Sequence, residues 1–186
     1  SEAAKRQRKT KGGAAVLGPS GVGVWTAPTL DPQRDTMYIT TGDNYSDPPT
    51  PLSDAVVAMR MSTGEILWSK QLTAKDSWNC ACYLAGNKNC PDSGGPDFDF
   101  AASAILVQLT NGRRALLLGQ KSGVAYAIDP DRKGQILWQA RAGRARIAVG
   151  NRAGLLHGRS AALSMGRRTC GKAPRRAATS GRCAAS

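Results

Sequence analysis

Short apolar runs alternate with Gly, Pro, Asn and Asp along most of the chain, and no stretch sustains the 3.6-residue period of an amphipathic helix. The pattern predicts strands at 22–27, 36–41, 55–61, 65–71, 102–109, 114–120, 124–129 and 135–140. All are of ordinary strand length and end in turn-forming residues, which makes the fold class all-β. Residues 58–68 (AMRMSTGEILW) recur with one insertion as residues 127–138 (AIDPDRKGQILW). Each copy reads as a strand, a turn holding a glycine (Gly64, Gly134), and a returning strand with the triplet Ile-Leu-Trp. A single tryptophan after such a turn would be a core side chain capping one hairpin. Two at matched positions predict a docking residue between sheets stacked side by side, because each sheet can bury both faces only against its neighbours. The repeat therefore points to a β-propeller or a solenoid, with the propeller the favoured reading.

Composition changes this picture only at the ends. The formal net charge is +13, a value that would ordinarily suggest nucleic acid or an anionic membrane as partner. Residues 1–11 carry five Lys or Arg against Glu2, residues 144–186 carry ten and no acid, and residues 12–143 hold eleven basic against twelve acidic residues. The β region is thus nearly neutral. The last 43 residues contain no aromatic side chain, whereas all four Trp and all four Tyr lie between Trp25 and Trp138. A basic face on a folded surface should interleave with apolar periodicity, and neither end shows any, so nucleic-acid binding by a folded face is not expected. No apolar stretch reaches the roughly 20 residues of a membrane span, and residues 1–15 lack the apolar core of a signal peptide. Five cysteines are an odd number, which leaves one free or paired between chains.

The two tryptophan hairpins resemble the tryptophan-docking motifs of the pyrroloquinoline quinone (PQQ) dependent alcohol dehydrogenases, or quinoproteins. Residues 24–32 (VWTAPTLDP), 38–47 (YITTGDNYSD), 95–100 (GPDFDF) and 119–123 (GQKSG) add to the likeness in the order the family has them. The forms TGDNYSD and GPDFDF, with a cysteine loop between, look most like its polyvinyl alcohol dehydrogenase branch. The resemblance covers residues 14–143 and implies a partial propeller, about two of eight blades. It divides the chain into a basic segment 1–13, the partial propeller 14–143, and a basic tail 144–186, with disordered ends. The tail reads either as a disordered segment or as a frame-shifted reading of a GC-rich gene. The coding nucleotides decide, because a shifted frame should continue the propeller pattern.

The resemblance also implies chemistry: hydride transfer from an alcohol carbon to PQQ beside a calcium ion. Such a site needs an aromatic floor, oxygen ligands for a hard cation, a cation near the quinone carbonyl, and a base. Trp25 falls where the family stacks a tryptophan on the cofactor, although the residue alone could equally be core. Asp43 falls at an amide ligand of the calcium, and Asn44 beside it leaves a one-residue ambiguity. Asp99 matches the catalytic base and a further metal ligand. It lies two residues from Asp97, a spacing that strand alternation would turn to one face. Lys121 matches the cation that donates to the quinone oxygens, where positive charge stabilises developing negative charge. Cys82 and Cys90 match a disulfide of the nearest relatives, which requires an oxidising, periplasmic compartment. With Cys80 they could instead offer three thiols to zinc, but no histidine or fourth thiol is near, and the lone His157 lies in the tail without a motif around it.

The expected cofactors of the complete protein are PQQ and calcium. Its expected partners are an alcohol, a polymeric one included, and a cytochrome c electron acceptor. The family's upstream calcium-binding glutamate, its adjacent cysteine pair and most of its blades have no counterpart here, so the chain as given is expected to be inactive alone. The rival reading is a non-catalytic scaffold propeller of the outer-membrane assembly type, which keeps the tryptophan hairpins but has no use for Asp43, Asp99 and Lys121.

Overall fold

The computed structural model describes Gly18 and residues 20–143 in full, and otherwise the backbone of six short strands. Those six pair as antiparallel couples: β1 (Lys5–Lys9) with β2 (Ala15–Gly18), β11 (Leu156–Gly158) with β12 (Ala161–Leu163), and β13 (Arg168–Cys170) with β14 (Cys183–Ala185). The remainder of the basic ends, for which disorder or a frame shift was expected, lies outside the described residues.

Two four-stranded antiparallel meanders make the body. The first orders β3 (Thr29–Asp31), β4 (Thr36–Thr40), β5 (Ala55–Arg60) and β6 (Ile66–Gln71) as neighbours. The second repeats this with β7 (Ile105–Gln108), β8 (Arg114–Gly119), β9 (Val124–Asp129) and β10 (Gln135–Arg141). They are two consecutive blades of a partial β-propeller, and no α-helix occurs among the described residues. Seven of the eight strands read from the sequence fall on these elements. The eighth, at 22–27, does not form: that stretch is held by one bridge, Val22 to Asn44, and by Gly42 N–H donating to Gly23 O, while the first strand of the sheet begins only after Pro28. A ladder there would leave no freedom to carry Trp25 away from the sheet.

The two tryptophan hairpins share one register. Ala58 pairs with Trp68 and Ala127 with Trp138, and each ladder skips one residue, Leu67 or Leu137, as a bulge. The turn glycines have left-handed backbones, φ +75 at Gly64 and +72 at Gly134, where any other side chain is strained. Trp68 docks on the second blade at that turn, where a Cβ on Gly134 would lie 2.9 Å from its ring. Between the blades Tyr38, Val56, Ala58, Phe100, Ala104, Leu116, Leu118, Tyr126 and Ile128 form one core. Polar ties close the seam: Thr40 Oγ1 donates to Ala102 O (3.1 Å), Ser103 Oγ to Ala27 O (2.7 Å), and Arg114 of β8 pairs with both Asp31 and Asp131.

Candidate functional site

One end of this seam gathers polar residues that a core of this size would ordinarily exclude. Asp43, Asp54, Asp76, Asp97 and Asp99 are all at most 1% exposed. They arrive from four separate pieces of backbone: Asp43 follows β4, Asp54 precedes β5, Asp76 follows β6, and Asp97 and Asp99 lie together on the loop before β7. Burying a carboxylate without compensation is costly, so their partners define the site.

Lys121, in the turn after β8, is the cation among them. Its Nζ lies 2.8 Å from Asp97 Oδ1 and 2.5 Å from Asp99 Oδ2, and its backbone N–H donates to Asp99 O (3.1 Å). Two of the three ammonium donors are thereby used. The N–H of Asp43 donates to Asp99 Oδ1 (2.9 Å). Asp43, Asp97 and Asp99 each present an oxygen within 4.8 Å of the others. Oxygen ligands on a single calcium ion lie at most about 5 Å apart, so these three carboxylates can share one hard cation. Asp97 Oδ2 is buried and has no hydrogen-bond partner among the described residues.

Titration follows from this crowding. Burial, then the charge of Asp99, pushes Asp97 up to about 7, and Lys121 opposes the rise. Burial alone would lower Lys121, but Asp99 and Asp97 outweigh it and the ammonium is raised. Asp54 is pushed up to about 10 by burial and by Asp76. Both oxygens of Asp54 are buried without a hydrogen-bond partner among the described residues, which favours its neutral, protonated form.

Trp25 reaches the same place by a close approach of backbone. A Cβ on Gly42 would fall 2.0 Å from the Trp25 ring and 2.2 Å from Asp99 Oδ1, and one on Gly23 would fall 2.4 Å from the ring. Only glycine fits at either position, and the half-buried indole therefore lies beside Asp99.

Trp25, Asp43, Asp99 and Lys121 thus come together, whereas Asn44 does not join them. Its Nδ2 donates to Gly21 O (2.8 Å) and its Oδ1 accepts from Thr50 N (2.7 Å), so the amide fastens a loop and Asp43 is the residue of that pair in the carboxylate cluster. The D-x-D pair also converges for a different reason than alternation. Residues 95–101 form no strand, Asp97 has φ +56, and Lys121 draws the two carboxylates together. Asp54 and Asp76 were not singled out by the sequence, since an aspartate beside a strand end reads as a turn residue. Cys82 and Cys90 are joined as a disulfide and Cys80 is also disulfide-bonded, so the three thiols do not form a metal set and no described cysteine is free.

The family model for the beta-propeller domain of glucose/ethanol/alcohol dehydrogenases (PQQ) matches residues 2–85, beginning inside the basic segment. A polyvinylalcohol dehydrogenase of Pseudomonas sp is 42% identical over 134 residues, which cover 72% of this chain and 21% of that protein. Another, of Sphingopyxis sp. (strain 113P3), is 40% identical over 131 residues, covering 69% and 20%. The chain spans about a fifth of the length of these relatives. Among solved structures, a quinohemoprotein alcohol dehydrogenase from Comamonas testosteroni superposes at TM-score 0.49 with 22% identity over 66% of this chain and 17% of that one. A europium-containing methanol dehydrogenase gives 0.46 with 26% identity over 66% and 20%.

Proposed function

We propose that the chain, which the PQQ beta-propeller family model matches over residues 2–85, is part of a PQQ-dependent alcohol dehydrogenase, and that its buried carboxylates form part of the cofactor and metal site of an enzyme oxidising a polymeric alcohol. One observation carries the reading: five buried aspartates cluster at one end of the seam with a single lysine, which pairs with Asp97 and Asp99. Protonation of Asp54 and the charge of Lys121 still leave negative charge in excess, and a divalent cation of the calcium type on Asp43, Asp97 and Asp99 offsets it. A non-catalytic scaffold would have no use for such a concentration of buried charge.

In this reading bound PQQ supplies the quinone that takes up the hydride of the alcohol carbon. Trp25 offers a flat apolar surface to one ring face. The third N–H of Lys121 is left to donate to a quinone oxygen, favouring negative charge there. Asp99 accepts the hydroxyl proton as the base, and Asp43 and Asp97 complete the metal ligands. The polymeric substrate rests on the names of the relatives, and the periplasmic compartment on the Cys82–Cys90 bridge. A cytochrome c acceptor is proposed for the complete protein on the resemblance alone.

The test is to titrate PQQ and calcium into this chain, and into the complete protein of which it is read as a piece, following quinone absorbance. Dye-linked oxidation of polyvinyl alcohol is assayed in parallel. The expected result is calcium-dependent PQQ binding, with turnover in the complete protein. A complete protein that neither binds PQQ nor oxidises alcohol would end the proposal.

A further inference from the structure

We infer that Asp76 is a positioning residue for the proposed cation site, a carboxylate that binds no ligand itself but holds the loop of Asp97 and Asp99 in register with Asp43. The inference rests on the reading of that site as a cation site. Asp76 stands between the two halves of the cluster and is bonded to both. Its main-chain O accepts from Asn44 N–H (3.1 Å), and Trp78 N–H donates in turn to Asn44 O (2.8 Å), which fixes the backbone next to Asp43. Its side chain reaches the other half: Oδ1 accepts from Asp97 N–H (3.2 Å) and Oδ2 from Phe98 N–H (2.9 Å).

Both oxygens are thus directed at backbone donors, and Asp76 is not one of the three carboxylates that can share an ion. The clamp has a conformational task. Asp97 is non-glycine at φ +56, a backbone state that costs about 1 to 2 kcal/mol for a side chain with a Cβ. Two charge-assisted bonds to consecutive N–H groups hold it there. The neighbouring sequence makes room for them: a Cβ on Gly95 would fall 2.0 Å from Asp76 Oδ1 and 2.7 Å from its Cα.

The experiment uses the 186-residue chain and Tb3+ as the probe, with its luminescence excited through Trp25 beside Asp99 and displaced by Ca2+. Asp76→Ala is expected to weaken Tb3+ binding at least tenfold while far-UV circular dichroism is unchanged. Gly95→Ala, which keeps the carboxylate but displaces it, should weaken binding as well. The double variant should be no worse than Asp76→Ala alone, because both act through one clamp, whereas unrelated destabilisation would add. Binding within twofold of the parent in folded Asp76→Ala, or losses that add in the double variant, would overturn the inference. If Asp76→Ala does not fold, Gly95→Ala decides by the same criterion.

If the parent itself binds no Tb3+, the cation reading fails separately. Amide exchange at Asp97 and Phe98 then judges the clamp: faster exchange in Gly95→Ala supports it, and unchanged exchange removes it.

Discussion

Asp99 and Lys121 illustrate how each side chain of the site is defined by what its neighbours leave it to do. Asp99 is the candidate base, and Asp99→Asn keeps the size and the acceptor for Asp43 N–H. In the complete protein we expect PQQ binding within about twofold of the parent and a loss of turnover of at least 10²-fold, the usual contribution of a general base. Equal rates in mutant and parent would remove Asp99 from that role. Lys121→Met withdraws the charge that opposes the rise of Asp97, so the Asp97 carboxyl should titrate above about 7. Carboxyl chemical shifts followed against pH read this directly, and a titration midpoint that stays or falls would show that Lys121 does not set it.

The decisive element is the tryptophan hairpin with its bulge. The skipped residue, Leu67 in the first copy, lets Trp68 pair with Ala58 while its ring leans onto the Gly134 turn of the next blade and lies 6.0 Å from the Tyr38 ring. Trp68→Ala should cost about 3 kcal/mol, the lower end for loss of a large aromatic, because this ring is half-buried. Gly134→Ala should cost about 1 kcal/mol or more through its positive φ, apart from the clash with Trp68. Denaturant unfolding measures both. A Trp68→Ala midpoint equal to the parent's would mean that the blades are held together by the core and the Arg114 pairs without the docking residue. Trp138 occupies the same register but is 49% exposed, as no third sheet covers it among the described residues.

For the molecule as a whole, the buried carboxylates set the pH dependence of stability. Asp54 moves from an ordinary 3.8 to about 10 and Asp97 to about 7 on folding, so the folded chain binds protons more tightly than the unfolded one throughout this range. Their contribution is fully present below about pH 4 and is lost as pH rises, through both groups up to about 7 and through Asp54 alone beyond. With metal chelated, the unfolding temperature should therefore fall between pH 5.5 and 8.5. Asp54→Asn should flatten the upper half of that decline, and a parent profile that rises with pH would contradict the burial of these charges. What the sequence determined by itself was whatever is local or repeated. Alternation and turn residues placed seven strands, the recurrence of Ile-Leu-Trp after a turn glycine marked the blades, and motif order brought Trp25, Asp43, Asp99 and Lys121 into one candidate site. Only the tertiary structure decided which of Asp43 and Asn44 faces the cluster, that 22–27 is no strand, and that Asp54 and Asp76 stand behind the site. Those outcomes depend on which distant backbone N–H or carboxyl group arrives opposite a side chain, and no local pattern encodes that meeting.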